Sequence, residues 1–143
     1  MTVRLEHANL CVHDVDAEIA FLQTAFPEFR IRHEGVNAMG TRWVHVGTGE
    51  TYIALNGAKA SDPARPKPYS GTPGVNHLAY EVDDAKALRE RMLAKGYRES
   101  TVSNAHPFRT RIYFYDPEGN DWEFVEYLTD DLARRNDYDL PDR

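Results

Sequence analysis

The chain opens on an alternation. Apolar Ala8, Leu10 and Val12 interleave with His7, Asn9 and Cys11, the two-residue period of a strand covered on one face, so a strand is predicted over Val3 to Val12. At Asp14 the period changes. Ile19, Phe21, Leu22 and Phe26 then follow helical spacing, which predicts a helix. After Pro27, runs rich in β-branched and aromatic residues predict strands around Phe29 to His33, Thr41 to Val46 and Thr51 to Leu55, the last two joined by Gly47-Thr48-Gly49. The first stretch reads β-α-β-β-β. Between Asn56 and Gly74, Gly57, Pro63, Pro66, Pro68, Gly71 and Pro73 lie among polar residues and predict an extended linker.

The same order then returns. Val75 to Val82 predicts a strand, and Asp83-Asp84 leads into a helix bearing Ala87, Leu88, Met92 and Leu93 that ends at Lys95-Gly96. Strands are predicted around Tyr97 to Val102, Arg109 to Tyr115 and Asp121 to Leu128, the last two joined by Asp116-Pro117-Glu118-Gly119, a composition suited to a type I turn. His7 and His77, Val12 and Val82, Asp14 and Asp84, and Ala17 and Ala87 share one spacing of 70 residues, which marks a duplicated unit. The organisation expected is one domain over 1–128: module one over 3–56, a linker over 57–74 and module two over 75–128. A charged tail over 129–143 is expected to form a short helix at Asp131 to Asn136 and to fray beyond it.

Composition narrows the classes of function. With 143 residues, 41% hydrophobic and 28% charged, the chain suits one globular domain. A net charge of -6 disfavours nucleic acid and anionic membrane as partners. Cys11 is the only cysteine, so no intramolecular disulfide forms and a reducing compartment is expected. No apolar run has the length to span a bilayer, and Arg4, Glu6 and His7 interrupt any signal-peptide core, so the expected location is cytoplasmic.

Strand parity gathers the candidate chemistry. If Ala8, Leu10 and Val12 face the helix, His7, Asn9 and Cys11 face away; likewise Leu78, Tyr80 and Val82 face the second helix and leave His77, Ala79 and Glu81 opposite. In the last strand Trp122 and Phe124 form the packing pair, which turns Glu123 to the other face. Taken singly, a strand histidine is a hydrogen-bonded structural residue and a terminal-strand glutamate is solvated. Taken together, two imidazoles and one carboxylate make a facial ligand set for a divalent metal with open positions, an arrangement suited to catalysis.

Leu5-Glu6-His7 leading to Val12-His13-Asp14, Val75-Asn76-His77-Leu78-Ala79-Tyr80, and Tyr115-Asp116-Pro117-Glu118-Gly119-Asn120-Asp121-Trp122-Glu123 carry a family likeness. From Val3 to Leu128 the chain resembles the vicinal oxygen chelate superfamily, which includes glyoxalase I, extradiol dioxygenases, fosfomycin thiol transferases, methylmalonyl-CoA epimerases and bleomycin-binding proteins. The resemblance implies an α+β fold in which two βαβββ modules form a curved mixed sheet around a metal cleft. It also implies a divalent ion (Fe, Mn, Ni or Zn) at His7, His77 and Glu123, a small-molecule substrate with adjacent oxygens, and a homodimer. Tyr113, ten residues before Glu123, is placed by the resemblance beside the metal.

Parity sets Arg109, Arg111, Tyr113 and Tyr115 on the face opposite Ile112 and Phe114, either as a solvated ladder or as groups binding an anionic or phenolic substrate. His106, before Pro107, is either a proton-transfer group or an exposed loop histidine. Asn9 either bonds a substrate oxygen or lines the cavity. His13, His33 and His45 fall at structural or surface positions. Ala54 falls where four-ligand relatives such as glyoxalase I place a Glu or Gln, and a methyl group cannot coordinate, so the expected chemistry leans to a ring-cleaving dioxygenase. A glyoxalase-like lyase or isomerase and a thiol transferase are the alternatives within enzymes, and a metal-free bleomycin-binding protein the alternative outside them.

Overall fold

A computed structural model describes residues 2–102 and 105–140. The chain divides into two compact units, Met1–Arg65 and Pro66–Arg143. Unit one contains β1 (His7–Val12), α1 (Val15–Ala25), β2 (Arg30–Val36), β3 (Arg42–Gly47) and β4 (Tyr52–Gly57), with the sheet ordered β1-β4-β3-β2. Asp14 caps α1, its carboxylate accepting from the Ala17 N–H at 2.9 Å, which satisfies one of the helix's orphan donors. Ile19, Phe21 and Leu22 of α1 and Val44, Val46, Ile53 and Leu55 of the sheet are buried on the helix side. The β3–β4 turn requires glycine at 47, since a Cβ there would stand 2.2 Å from the Thr51 carbonyl oxygen.

Unit two contains β5 (His77–Glu81), α2 (Ala85–Ala94), β6 (Arg109–Tyr115), β7 (Asp121–Tyr127) and the short α3 (Leu132–Arg135), with the sheet ordered β5-β7-β6. Asp84 caps α2 as Asp14 caps α1, accepting from the Ala87 N–H at 2.8 Å. Trp122, Phe124, Phe114, Leu88 and Met92 form the core, as the alternation of β7 required. The strand predicted over Tyr97 to Val102 is a correction: only a single bridge forms there, Glu99 to Phe114. Two backbone bonds support that bridge, Ser100 N–H to the Tyr113 carbonyl and Tyr115 N–H to the Arg98 carbonyl. Two backbone bonds do not make a ladder.

The turn between β6 and β7 sets the register that matters most. Buried Asp116 accepts from the Glu118 and Asn120 N–H groups at 2.9 and 2.8 Å through Oδ1, and from Asn120 Nδ2 and Trp122 Nε1 at 2.7 and 2.9 Å through Oδ2. Gly119 closes the turn at φ 84°, donating to the Asp116 carbonyl at 3.0 Å. With the turn fixed, Tyr113 pairs with Glu123 and Tyr115 with Asp121.

The charged tail forms its helix at the predicted place, capped by Asp131. The helix's last residue, Arg135, reaches Glu81 at 2.9 Å and lies over the Tyr127 ring, and beyond the helix the exposed Tyr138 ring has the Arg109 guanidinium 5.5 Å from its centre. The last three tail residues, 141–143, lie outside the described residues. Among the described residues no helix is long and apolar enough to cross a membrane.

Candidate functional site

In unit two the face opposite α2 carries His77, Ala79 and Glu81 from β5, Asp121, Glu123, Val125 and Tyr127 from β7, and Arg109, Arg111, Tyr113 and Tyr115 from β6. His77 and Glu123 converge, Nε2 standing 3.1 Å from Oε2. Register explains the approach: His77 pairs with Asp121 and Ala79 with Glu123, so the carboxylate faces a methyl group and is free to reach diagonally to the imidazole. Tyr113, buried between the strands, donates its hydroxyl to Glu123 and sets its ring edge-on to His77, with centroids 6.0 Å apart. Burial, and after it the charge of Glu123, pushes the Tyr113 phenol up to about 12, so it stays a donor at neutral pH.

The far nitrogen of His77 is also engaged. Tyr69 Oη lies 2.8 Å from His77 Nδ1 and donates to Asp121 Oδ2 at 3.3 Å, while the Ser100 hydroxyl donates to the other oxygen of Asp121. Sequence reading missed Tyr69 because it sits in the proline-rich segment, where no periodicity marks any residue. Asp121, at hydrogen-bonding register beside His77, carried the one available signal.

His7 lies in unit one, stacked on Tyr52 at 4.7 Å with its plane 13° from the tyrosine's. His45 meets Tyr52 at 4.7 Å, and the Arg32 guanidinium lies 4.3 Å from the centre of that tyrosine ring. Desolvation, then the neighbouring positive groups, lowers the His45 pKa and favours its neutral form. Asn9 accepts from Asn56 Nδ2 at 2.6 Å. Ala54 pairs with Asn9 and is buried, two residues along from the partner of His7 just as Glu123 is two along from the partner of His77, so it occupies the position that the sequence assigned to it.

The β6 face is not a solvated ladder, since Arg109 and Tyr113 are both buried. Arg111 stands two positions from Tyr113, opposite Val125. His106 is buried rather than an exposed loop histidine: Nδ1 accepts from the Phe108 N–H at 3.1 Å and Nε2 lies 3.3 Å from the Asp137 carbonyl. Both ring nitrogens therefore meet backbone. Among the described residues no group of three or more His, Cys, Asp and Glu side chains is placed to hold a metal ion, and His77 with Glu123 forms a pair.

The sequence profile of the Glyoxalase/Bleomycin resistance protein/Dioxygenase superfamily matches residues 4–124. The chain belongs to this superfamily. Among solved structures, a glyoxylase/bleomycin resistance protein/dioxygenase domain from Frankia sp. EAN1pec is 20% identical with a TM-score of 0.73, covering 89% of this chain and 99% of its own. A variant of the fosfomycin resistance protein FosX from Listeria monocytogenes, complexed with Mn(II) and 1S,2S-dihydroxypropylphosphonic acid, is 20% identical with a TM-score of 0.70, covering 96% and 100%. The protein SMU.1112c is 25% identical with a TM-score of 0.69, covering 88% and 100%. Likeness to the Frankia domain and to FosX, both at 20% identity, establishes the fold alone. No curated protein matches the chain.

Proposed function

We propose that this member of the superfamily is a divalent-metal-dependent enzyme acting on a small organic substrate through two adjacent oxygens. The observation that carries the reading is the 3.1 Å approach of His77 Nε2 to Glu123 Oε2. Two donor atoms each about 2.1 Å from one ion and at a right angle to each other are about 3.0 Å apart, so the pair fits one edge of a coordination sphere. Imidazole nitrogen with carboxylate oxygen suits Fe(II), Mn(II), Ni(II) or Zn(II). His7 is our third ligand, because it holds in module one the register position of His77 in module two.

A bound ion supplies Lewis acidity that draws charge from coordinated substrate oxygens. The chain's own side chains supply the rest. Tyr113 keeps its proton and holds the Glu123 carboxylate in place. Arg111, farther along the same face, attracts an anionic substrate group. Asn9 is our polar contact from module one, and Arg109 extends the cationic end of the β6 face. Both ring nitrogens of His106 meet backbone, so we give it no part in proton transfer. With Ala54 in place of a fourth ligand, two histidines and one carboxylate favour oxygen-dependent ring cleavage over glyoxalase-type isomerisation or thiol transfer. The single cysteine supports a cytoplasmic location, and β1 and β5, each at the edge of its sheet, support a homodimer.

Metal analysis of protein purified without chelator tests the core of this reading. Wild type is expected to hold a divalent ion, and His77→Ala and Glu123→Ala to lose it by 100-fold or more in affinity, on the order of 3 kcal/mol; undiminished metal in both variants defeats it. Oxygen uptake by Fe(II)-loaded protein on a catechol panel, beside methylglyoxal-thiol turnover with Ni(II) or Zn(II), then separates ring cleavage from isomerisation.

A further inference from the structure

We propose that the face of unit one opposite α1 carries a binding site for a small aromatic carboxylate, whose ring lies against Trp43 and His33 and whose carboxylate meets Arg32. The site goes beyond the metal reading and uses none of the residues assigned above as ligands.

Two departures from a regular sheet build it. Ile31 pairs with Val46 and His33 with His45, so β2 takes two steps where β3 takes one, and Arg32 is the extra residue of a bulge. Regular alternation would return His33 to the helix side with Ile31; the bulge instead leaves Arg32 and His33 together on the other face, with Trp43 and His45. The second departure is Gly35, opposite Trp43. A Cβ there would stand 2.9 to 3.0 Å from Nε1, Cε2 and Cζ2 of the indole, so the ring lies down on β2 where a side chain would have held it off.

The result is a continuous row of rings with a cation beside it. His33 meets Trp43 edge-on at 5.4 Å, Trp43 meets His45 at 5.1 Å, and His45 meets Tyr52 at 4.7 Å. His33 is exposed and Trp43 half-buried, so the row offers ring surface to solvent. The Arg32 guanidinium lies over Tyr52, 4.3 Å from its centre. Other arginines of this unit are engaged by oxygen: Arg4 donates to Glu50, Arg30 to the Pro27 and Phe29 carbonyls, and Arg42 to Asp16 and Glu34. Among the described residues no carboxylate or carbonyl takes the N–H groups of Arg32. A guanidinium stacked by its face still presents its edge as a two-pronged donor, the geometry that a carboxylate accepts. In a chain of net charge -6, this cation is left without an acid, and an acidic ligand supplies one. A flat ring attached to that acid covers the rings alongside, so ring and charge together favour an aromatic acid over an aliphatic acid or a neutral ring.

The test is an NMR titration of nitrogen-labelled protein, as purified, with benzoate, benzamide and cyclohexanecarboxylate. The two tryptophans serve as reporter and control. The indole N–H signal of half-buried Trp43 is expected to move with benzoate, and that of Trp122, fully buried and bonded to Asp116, to stay; Trp43→Phe assigns the two signals. Benzoate is expected to bind about 10-fold more tightly than either of the other probes. Arg32→Gln should weaken benzoate about 10-fold and leave benzamide unchanged, and Arg32→Lys should recover part of the loss. Arg32 is exposed, so both variants keep the fold, which an unchanged melting curve verifies. No shift at Trp43, equal affinity for benzoate and benzamide, or wild-type benzoate affinity in Arg32→Gln overturns the proposal. Loss of benzoate binding on addition of a chelator assigns the carboxylate to a metal ion and overturns it too, whereas unchanged binding leaves this site standing whatever becomes of the metal reading.

Discussion

The two modules use one backbone frame and furnish it differently. In each, the first strand pairs in parallel with the last, and the leading histidine occupies the same register position, opposite Tyr52 in one and Asp121 in the other. Two residues further, module one presents buried Ala54 and module two presents Glu123. The surroundings follow. His7 is held by stacking on Tyr52, whereas His77 is held by a hydroxyl at one nitrogen and a carboxylate at the other. Stacking fixes the plane of an imidazole, whereas polar partners at both nitrogens also fix its rotation within that plane. A duplicated scaffold can thus place polar contacts around the leading histidine of one half and aromatic stacking around that of the other.

The largest effect is expected from breaking the turn that aligns the charged module. Asp116→Ala strips the acceptor from four donors, three of them on Asn120 and Trp122, and should cost about 4 kcal/mol in denaturant unfolding. A loss under about 1 kcal/mol would mean that register is set elsewhere. Next, Ala54→Glu copies the module-two carboxylate into module one. At a position only 2% exposed beside Asn9, it should destabilise the protein by about 3 kcal/mol, read by the same unfolding method. Addition of Ni(II) or Zn(II) that restored full stability would show the two modules to be interchangeable as ligand frames.

The smallest effect sharpens the contrast at the segment that failed to become a strand. Arg89 grips Glu99 through two bonds and, by that hydrogen bonding first, holds the Glu99 carboxyl below its ordinary value of 4.5. A lowered folded-state pKa means the stabilisation is present above the unfolded value and disappears as pH falls through the folded one. Glu99→Gln should therefore melt about 1–2 °C lower at pH 7, and the gap should close under acid, below about pH 4.

Much of this was legible in the residues themselves. Asp14 and Asp84, the flanking of Glu123 by Trp122 and Phe124, and Asp116 through Gly119 each have a local physical signature, and each stands where that signature puts it. Residues 97–102 look like a strand because their composition suits one, but a strand exists only where a partner completes the ladder. Tyr69 and His106 depend on contacts made across 52 and 31 residues respectively, to Asp121 and Asp137, and no local pattern encodes those.

The clamp around Asp116 bears on how such a protein can be altered. Side chains on a strand switch faces with every step, so adding or deleting one residue between 116 and 120 would turn Glu123 toward the helix and expose Trp122 in its place. Length variation belongs in the β2–β3 connection, where open space surrounds Gly40, with glycine itself kept at its φ of 79°. The hairpin that aligns the acid should be left at its present length.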